Sequence, residues 1–147
     1  MSAILFRAAV VTSALMISSA SAVVVWFSLF DEPWLTYPVL PFPVLMPTVH
    51  AGQSIPLSVQ RCNSGKATRT YISSHSLVSI DQSQPEVILP PINASVKPGC
   101  SPVESHANLI PRDTQPGFYR IEGITEINGA VRNFSLPWSS EQFEVAP

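Results

Sequence analysis

The sequence predicts an all-β domain, a two-sheet sandwich of about seven strands, preceded by one transmembrane α-helix. Three observations carry this expectation. All fifteen prolines lie at or after Pro33, short runs of alternating apolar and polar residues recur from Ser54 to Val145, and Arg7 is the only charge in the first thirty residues. Proline removes a backbone donor and clashes inside a helix, so its density excludes long helices from everything that follows Pro33.

The N-terminal segment Ala8 to Phe30 has 23 residues and no charge. As a helix it would measure about 35 Å, against a bilayer core of about 30 Å. Six Ser/Thr residues dilute it, but their hydroxyls can bond carbonyls within the helix. Trp26, Trp34 and Tyr37 suit the aromatic belt at the outer membrane interface. Arg7 precedes the span and the next basic residue is Arg61, a bias that keeps the N-terminus cytoplasmic and sends the C-terminal domain to the periplasm or the exterior. The expected organisation is a cytoplasmic stretch 1–7, a single-pass signal anchor 8–30, a Pro-rich linker and first strand 31–47, and an extracytoplasmic domain 48–147. The competing reading is a signal peptide cleaved at Ala20-Ser21-Ala22. It would leave a mature chain beginning VVVWFSLF, an apolar stub, so the uncleaved anchor is preferred. The lipid bilayer is then one expected partner, and Ser13, Ala14, Ser18 and Ala22 would permit helix association.

A chain of 147 residues has room for one domain plus an anchor. From Asp31 onward seven Lys/Arg face ten Asp/Glu, a formal charge of −3. No basic cluster exists to neutralise a phosphate backbone, which argues against a nucleic-acid partner. Recurrent apolar residues and a charged fraction of 12% argue against disorder.

Asp31 to Pro47 holds five prolines and is too apolar for a free linker. It is expected to run extended and to supply the first strand. Pro38-Val39-Leu40-Pro41 fits PxxP, but a structural role is the stronger reading. His50-Ala51-Gly52-Gln53 reads as a turn. In Ser54 to Cys62, Ile55, Leu57 and Val59 alternate with Ser54, Pro56, Ser58 and Gln60, the period of a half-buried strand. Thr68 to Ile80 and Glu86 to Val96 follow as strands, the latter around Pro90-Pro91, and Lys97-Pro98-Gly99 turns the chain. Phe118 to Ile127 alternates best of all. Asn128-Gly129 favours a type I′ hairpin to Val131–Leu136, and Gln142 to Val145 closes the domain.

Pro116-Gly117-Phe118-Tyr119-Arg120-Ile121 resembles the penultimate strand of immunoglobulin-like and fibronectin type III-like domains, where a Tyr at this position packs at the corner of the sandwich. Ser140 to Val145 is similar to their final strand. The whole also resembles small membrane-anchored proteins of this type from phages and bacteria. Ile121 stands where antibody-type domains carry their second core cysteine.

Cys62 and Cys100 are the only cysteines, most simply a disulfide in an exported domain. Cys62 has the parity opposite to Ile55, Leu57 and Val59, so the bridge should tie a strand end to a loop and not cross the core. A metal site with His75 or His106 lacks any ligand spacing, and no cofactor or metal is expected. Serines and histidines are numerous, but no G-x-S-x-G exists. Glu122 and Glu126 share an outward strand face and do not imply a cleft. Ser64-Gly65-Lys66 lacks the upstream glycine of a phosphate loop. Asn93 and Asn133 begin N-glycosylation sequons that matter only in a eukaryotic secretory pathway. Trp138 is a candidate partner anchor, with core capping the blander reading.

The expected function is therefore a membrane-anchored, non-enzymatic binding or scaffolding protein with a protein partner at the outer face. A secreted or virion-associated structural protein, released by cleavage after Ala22, is the alternative, and a hydrolase ranks last.

Overall fold

The computed structural model describes the backbone of residues 3–147 and the side chains of residues 10–26, 29 and 31–147. Arg7, on which the expected orientation rests, lies outside the described side chains, as does the rest of the expected cytoplasmic stretch 1–7.

Helix α1 spans Ala3–Phe30. Within it Ser18, Ser19 and Ser21 donate their hydroxyls to the carbonyls of Leu15, Met16 and Ile17 at 2.9–3.0 Å. These bonds satisfy the hydroxyls without making the surface more apolar. Among the described residues, no helix is long and apolar enough to cross a membrane. This corrects the expected transmembrane helix, the single-pass signal anchor and the membrane localisation built on it. Of the three expected interface aromatics, Trp26 is exposed on the helix, but Trp34 is 5% exposed within a packed core.

The helix forms one compact unit with Asp31, Glu32 and the Asn128–Arg132 turn; residues 33–127 and 133–147 form the other. In the first unit the Asp31 carboxylate accepts the backbone N–H groups of Ala130, Val131 and Arg132 at 3.0–3.2 Å. Neither Asn128 nor Gly129 adopts positive φ, so the expected two-residue type I′ turn is replaced by a longer loop closed by Gly129 N–H to Arg132 O at 2.8 Å. The carboxylate supplies acceptors that a shorter turn would not need. The Val131 N–H holds the Asp31 carboxyl below its usual range; burial opposes it, and the Arg132 and Ala130 N–H groups and the Arg132 charge add to the lowering. A folded pKa below the unfolded one stabilises the loop above the unfolded carboxylate value near about 3.9, and that support is lost as pH falls through the folded value. Protection of the Ala130 and Val131 amides, relative to the intrinsic exchange rate at each pH, should therefore fall on acidification, and an Asp31→Asn variant should show the lower protection already at neutral pH.

The second unit carries β1 (Leu35–Thr36), β2 (Thr48–His50), β3 (Ser54–Val59), β4 (Cys62–Asn63), β5 (Arg69–Ser79), β6 (Val87–Val96), β7 (Gly99–Cys100), β8 (Glu104–Leu109), β9 (Gly117–Asn128), β10 (Asn133–Ser139) and β11 (Phe143–Ala146). They form three sheets and not two. Six strands run in the order β2-β11-β9-β5-β6 with β10 also on β9, three short strands in the order β1-β4-β7, and β3 pairs β8. The β1–β4, β4–β7, β3–β8, β5–β6, β5–β9 and β9–β11 pairings are antiparallel, and β11 runs parallel to β2. The seven-strand, two-sheet Ig-like sandwich is thus corrected to eleven strands in three sheets, the six-stranded one mixed. Two-residue strands such as β1, β4 and β7 leave no periodic signal, and the neighbour a terminal strand chooses is not written in its own residues.

The longer strands follow their alternation. Ile55, Leu57 and Val59 of β3 are buried, as are Tyr119, Ile121, Gly123, Thr125 and Ile127 of β9. The Tyr119 hydroxyl donates to Gln115 O at 2.9 Å and ties the start of β9 to the loop before it. The main core joins Ile55, Leu57, Leu77, Ile121, Trp138 and Phe143, and a second cluster joins Trp34, Leu35, Tyr71, Val96 and Ile127. In the Pro-rich segment, Phe42 bridges Ser140 and Val44 bridges Leu57. It therefore links the six-stranded sheet to the β3–β8 pair through two isolated bridges, since proline denies it the donors of a longer strand.

Candidate binding face

Cys62 and Cys100 are bonded. They face each other directly in the register of β4 and β7, joining two short strands and not crossing between the core clusters.

Trp138 lies in the core at 7% exposure. Opposite it on β9, Gly123 has no Cβ; one added there would stand 2.4 Å from Trp138 Cζ2 and 2.9 Å from Ser74 O. The indole crosses β9 through this gap, donates Nε1–H to Ser73 Oγ of β5 at 2.9 Å, and lies 5.2 Å from the Phe42 ring and 5.9 Å from that of His75. Ser73 Oγ also accepts the Thr125 hydroxyl at 2.9 Å. Because that uses the only proton on Thr125, the 2.7 Å contact from Tyr37 must be donated by the tyrosine. Burial pushes the Tyr37 hydroxyl up to about 12, so it stays a donor across the ordinary pH range. Tyr37, expected at a membrane interface, instead begins a chain of hydroxyls running through Thr125 and Ser73. Thr125→Val keeps the shape but leaves the Tyr37 donor unpaired, an expected loss of about 1–3 kcal/mol in denaturant unfolding.

This inner-face packing fixes the outer face. There Ser74 and Ser76 of β5 stand between larger neighbours, Ser76 opposite Ile88 of β6 and Glu122 of β9, and Ser74 opposite Ile124. Small side chains flanked by large ones make a trough. The register of β5 and β6 slips between Ser73 and His75, where Pro90-Pro91 interrupts β6. Pro137 and Leu40 complete the wall, and the open cavity measures about 690 Å³. Phe42 N–H to Ser139 O at 2.8 Å and Glu141 N–H to Phe42 O at 2.9 Å hold the Leu40 segment in place.

Apolar side chains are notably bare here. Ile88 is 84% exposed, with Ile124 and Leu40 each about half exposed. The rim is acidic: Glu86 lines the trough, and so does Glu122, which pairs with Arg120 at 2.5 Å in an exposed contact of little energetic weight.

The other sequence candidates fall elsewhere. Burial holds both His75 and His106 below the ordinary histidine range, with Asn108 opposing at His75. Among the described residues no three His, Cys, Asp or Glu side chains are placed to hold a metal. Glu122 and Glu126 lie on the outer face of β9, and Asn93 and Asn133 are exposed. Sequence reasoning missed Ile88 and Gly123. In Val87-Ile88-Leu89-Pro90-Pro91 the parity is ambiguous, and nothing local to Gly123 announces a tryptophan from β10.

No family model matches the chain, and no curated protein matches it. Among solved structures it resembles part of a Pseudomonas fluorescens alkylpurine DNA glycosylase, AlkC, bound to DNA containing an abasic site analogue: TM-score 0.52, 13% identity, covering 82% of this chain and 33% of that one. At that identity the likeness concerns the fold alone, and the chain spans about a third of the glycosylase. A family 123 glycoside hydrolase from Clostridium perfringens gives a TM-score of 0.39 at 15% identity, over 67% of this chain and 22% of that one, too low to carry an argument.

Proposed function

We propose that the β domain is a non-enzymatic recognition module whose outer β5–β6–β9 trough receives a protein segment carrying aliphatic and basic side chains. The observation that carries this reading is Ile88, 84% exposed at the lip of a cavity shared with Ile124 and Leu40. Single exposed apolar residues are ordinary, whereas a group lining one concavity with a polar rim suits a binding surface. Glu86 on that rim complements a cation on the partner. The interruption at Pro90-Pro91 discourages strand addition along β6, so recognition would rest on side chains entering the trough.

A random-peptide selection against the whole protein tests this reading. Enriched peptides should combine aliphatic and Lys/Arg residues, and Ile88→Glu should weaken them by about 1.5–3 kcal/mol, tenfold or more, the scale of burying one large aliphatic side chain. Enrichment of peptides that bind Ile88→Glu equally well would overturn it, as would a selection that enriches none.

A further inference from the structure

Beside the disulfide lies a separate concavity of about 430 Å³ lined by Arg61, Ser95, Lys97, Cys100, Ser101 and Glu104, among others. Arg61 is 7% exposed. A guanidinium withdrawn from water needs both an opposite charge and hydrogen-bond acceptors. Glu104 supplies a single contact, Nη1 to Oε2 at 3.1 Å, and its own side chain is 57% exposed. The Tyr71 ring lies 5.9 Å beneath the guanidinium and its hydroxyl also interacts with that group, but Nε, itself buried, has no hydrogen-bond partner. The charge is therefore incompletely satisfied by the protein.

The surrounding backbone is tightly stitched. Arg61 N–H donates to Ser101 Oγ at 3.2 Å, Ser101 N–H to Arg61 O at 2.8 Å, and Gln60 Nε2 to Ser101 O at 3.1 Å. The disulfide clamps the adjoining residues 62 and 100. Ser101 Oγ accepts from Arg61 N–H and so keeps its own proton to donate. Arg61 and Lys97 against Glu104 leave the lining with one positive charge in excess.

We infer that this concavity binds a small carboxylate-bearing molecule, with Arg61 and Lys97 neutralising the carboxylate and the Ser95 and Ser101 hydroxyls donating to it. Carboxylate is favoured over phosphate on two grounds. Arg61 already holds a carboxylate, that of Glu104, and one excess positive charge matches a monoanion. Guanidinium pairs well with such planar groups through adjacent N–H donors.

The test is titration of the oxidised, full-length protein with N-acetylglycine, acetate and inorganic phosphate at low ionic strength, followed by calorimetry and by amide shifts of Lys97 and Ser101. N-acetylglycine or acetate should saturate in roughly the millimolar range, and Lys97→Gln should weaken it about tenfold, one charge-assisted contact. Arg61→Lys, checked for folding by its amide spectrum, should weaken it at least as much. No saturation by either carboxylate would overturn the inference. So would binding indifferent to Lys97→Gln, and tighter binding of phosphate would overturn the carboxylate assignment.

Discussion

Replacing Gly123 with alanine is expected to destabilise the β domain by about 3–5 kcal/mol, on the scale of removing a buried aromatic. The new Cβ would meet Trp138 Cζ2 and Cε2 at 2.4 and 2.5 Å and Ser74 O at 2.9 Å. The first two are atoms of a rigid ring and the third is backbone, so no flexible side-chain end can absorb the clash. The indole must leave its place over β9, and its bond to Ser73 goes with it. Gly99→Ala provides the contrast. Its φ of +89° is a left-handed conformation, yet no atom stands within 4 Å of the added Cβ. Its cost should be about 1–2 kcal/mol, conformational only. A red-shifted tryptophan emission and a large fall in denaturant midpoint are expected for Gly123→Ala alone. Equal losses for the two variants would show that the Trp138 packing is not what constrains position 123.

Reduction of Cys62–Cys100 should cost about 4 kcal/mol, the chain-entropy value for closing a loop of this size; the two cysteines lie 38 residues apart. β7 is only two residues long, and it pairs β4 through Cys62↔Cys100 and Asn63↔Gly99. Without the bond, few backbone pairings keep it docked. The Ser101 amide, bonded to Arg61 O, should lose protection from hydrogen exchange first, while amides of β5 and β9 follow only on global unfolding. Comparing the denaturant midpoint with and without reductant measures the cost, and an unchanged midpoint would contradict the role given to the bridge.

Where a strand is long and half buried, its residues announce it. β3 and β9 sit where Ile55-Leu57-Val59 and Tyr119-Ile121 placed them, because one buried face imposes the two-residue period whatever the rest of the chain does. Elements defined by a distant partner were illegible. The loop at Asn128–Arg132 takes its form from Asp31, about a hundred residues earlier, and the parallel pairing of β11 with β2 joins the two ends of the domain. Length and lack of charge read the N-terminal segment as a membrane span, whereas among the described residues no helix is long and apolar enough to cross. Trp34 and Tyr37, aromatic and near that helix, read as interface anchors but are claimed by Leu35, Tyr71 and Thr125. Of the trough, only the outward parity of Glu122 was visible. Its depth comes from the register that sets Ser76 between Ile88 and Glu122, a fact of pairing and not of any one strand.

The most direct test of the trough as a recognition face is to map amide shift changes on the whole protein as a selected aliphatic–basic peptide is titrated in. Recognition through the trough predicts changes confined to Ser74, Ser76, Ile88, Glu122 and Ile124 and their neighbours, shifted to at least tenfold higher peptide concentration by Ile88→Glu. Changes centred elsewhere, with those residues silent, would contradict it.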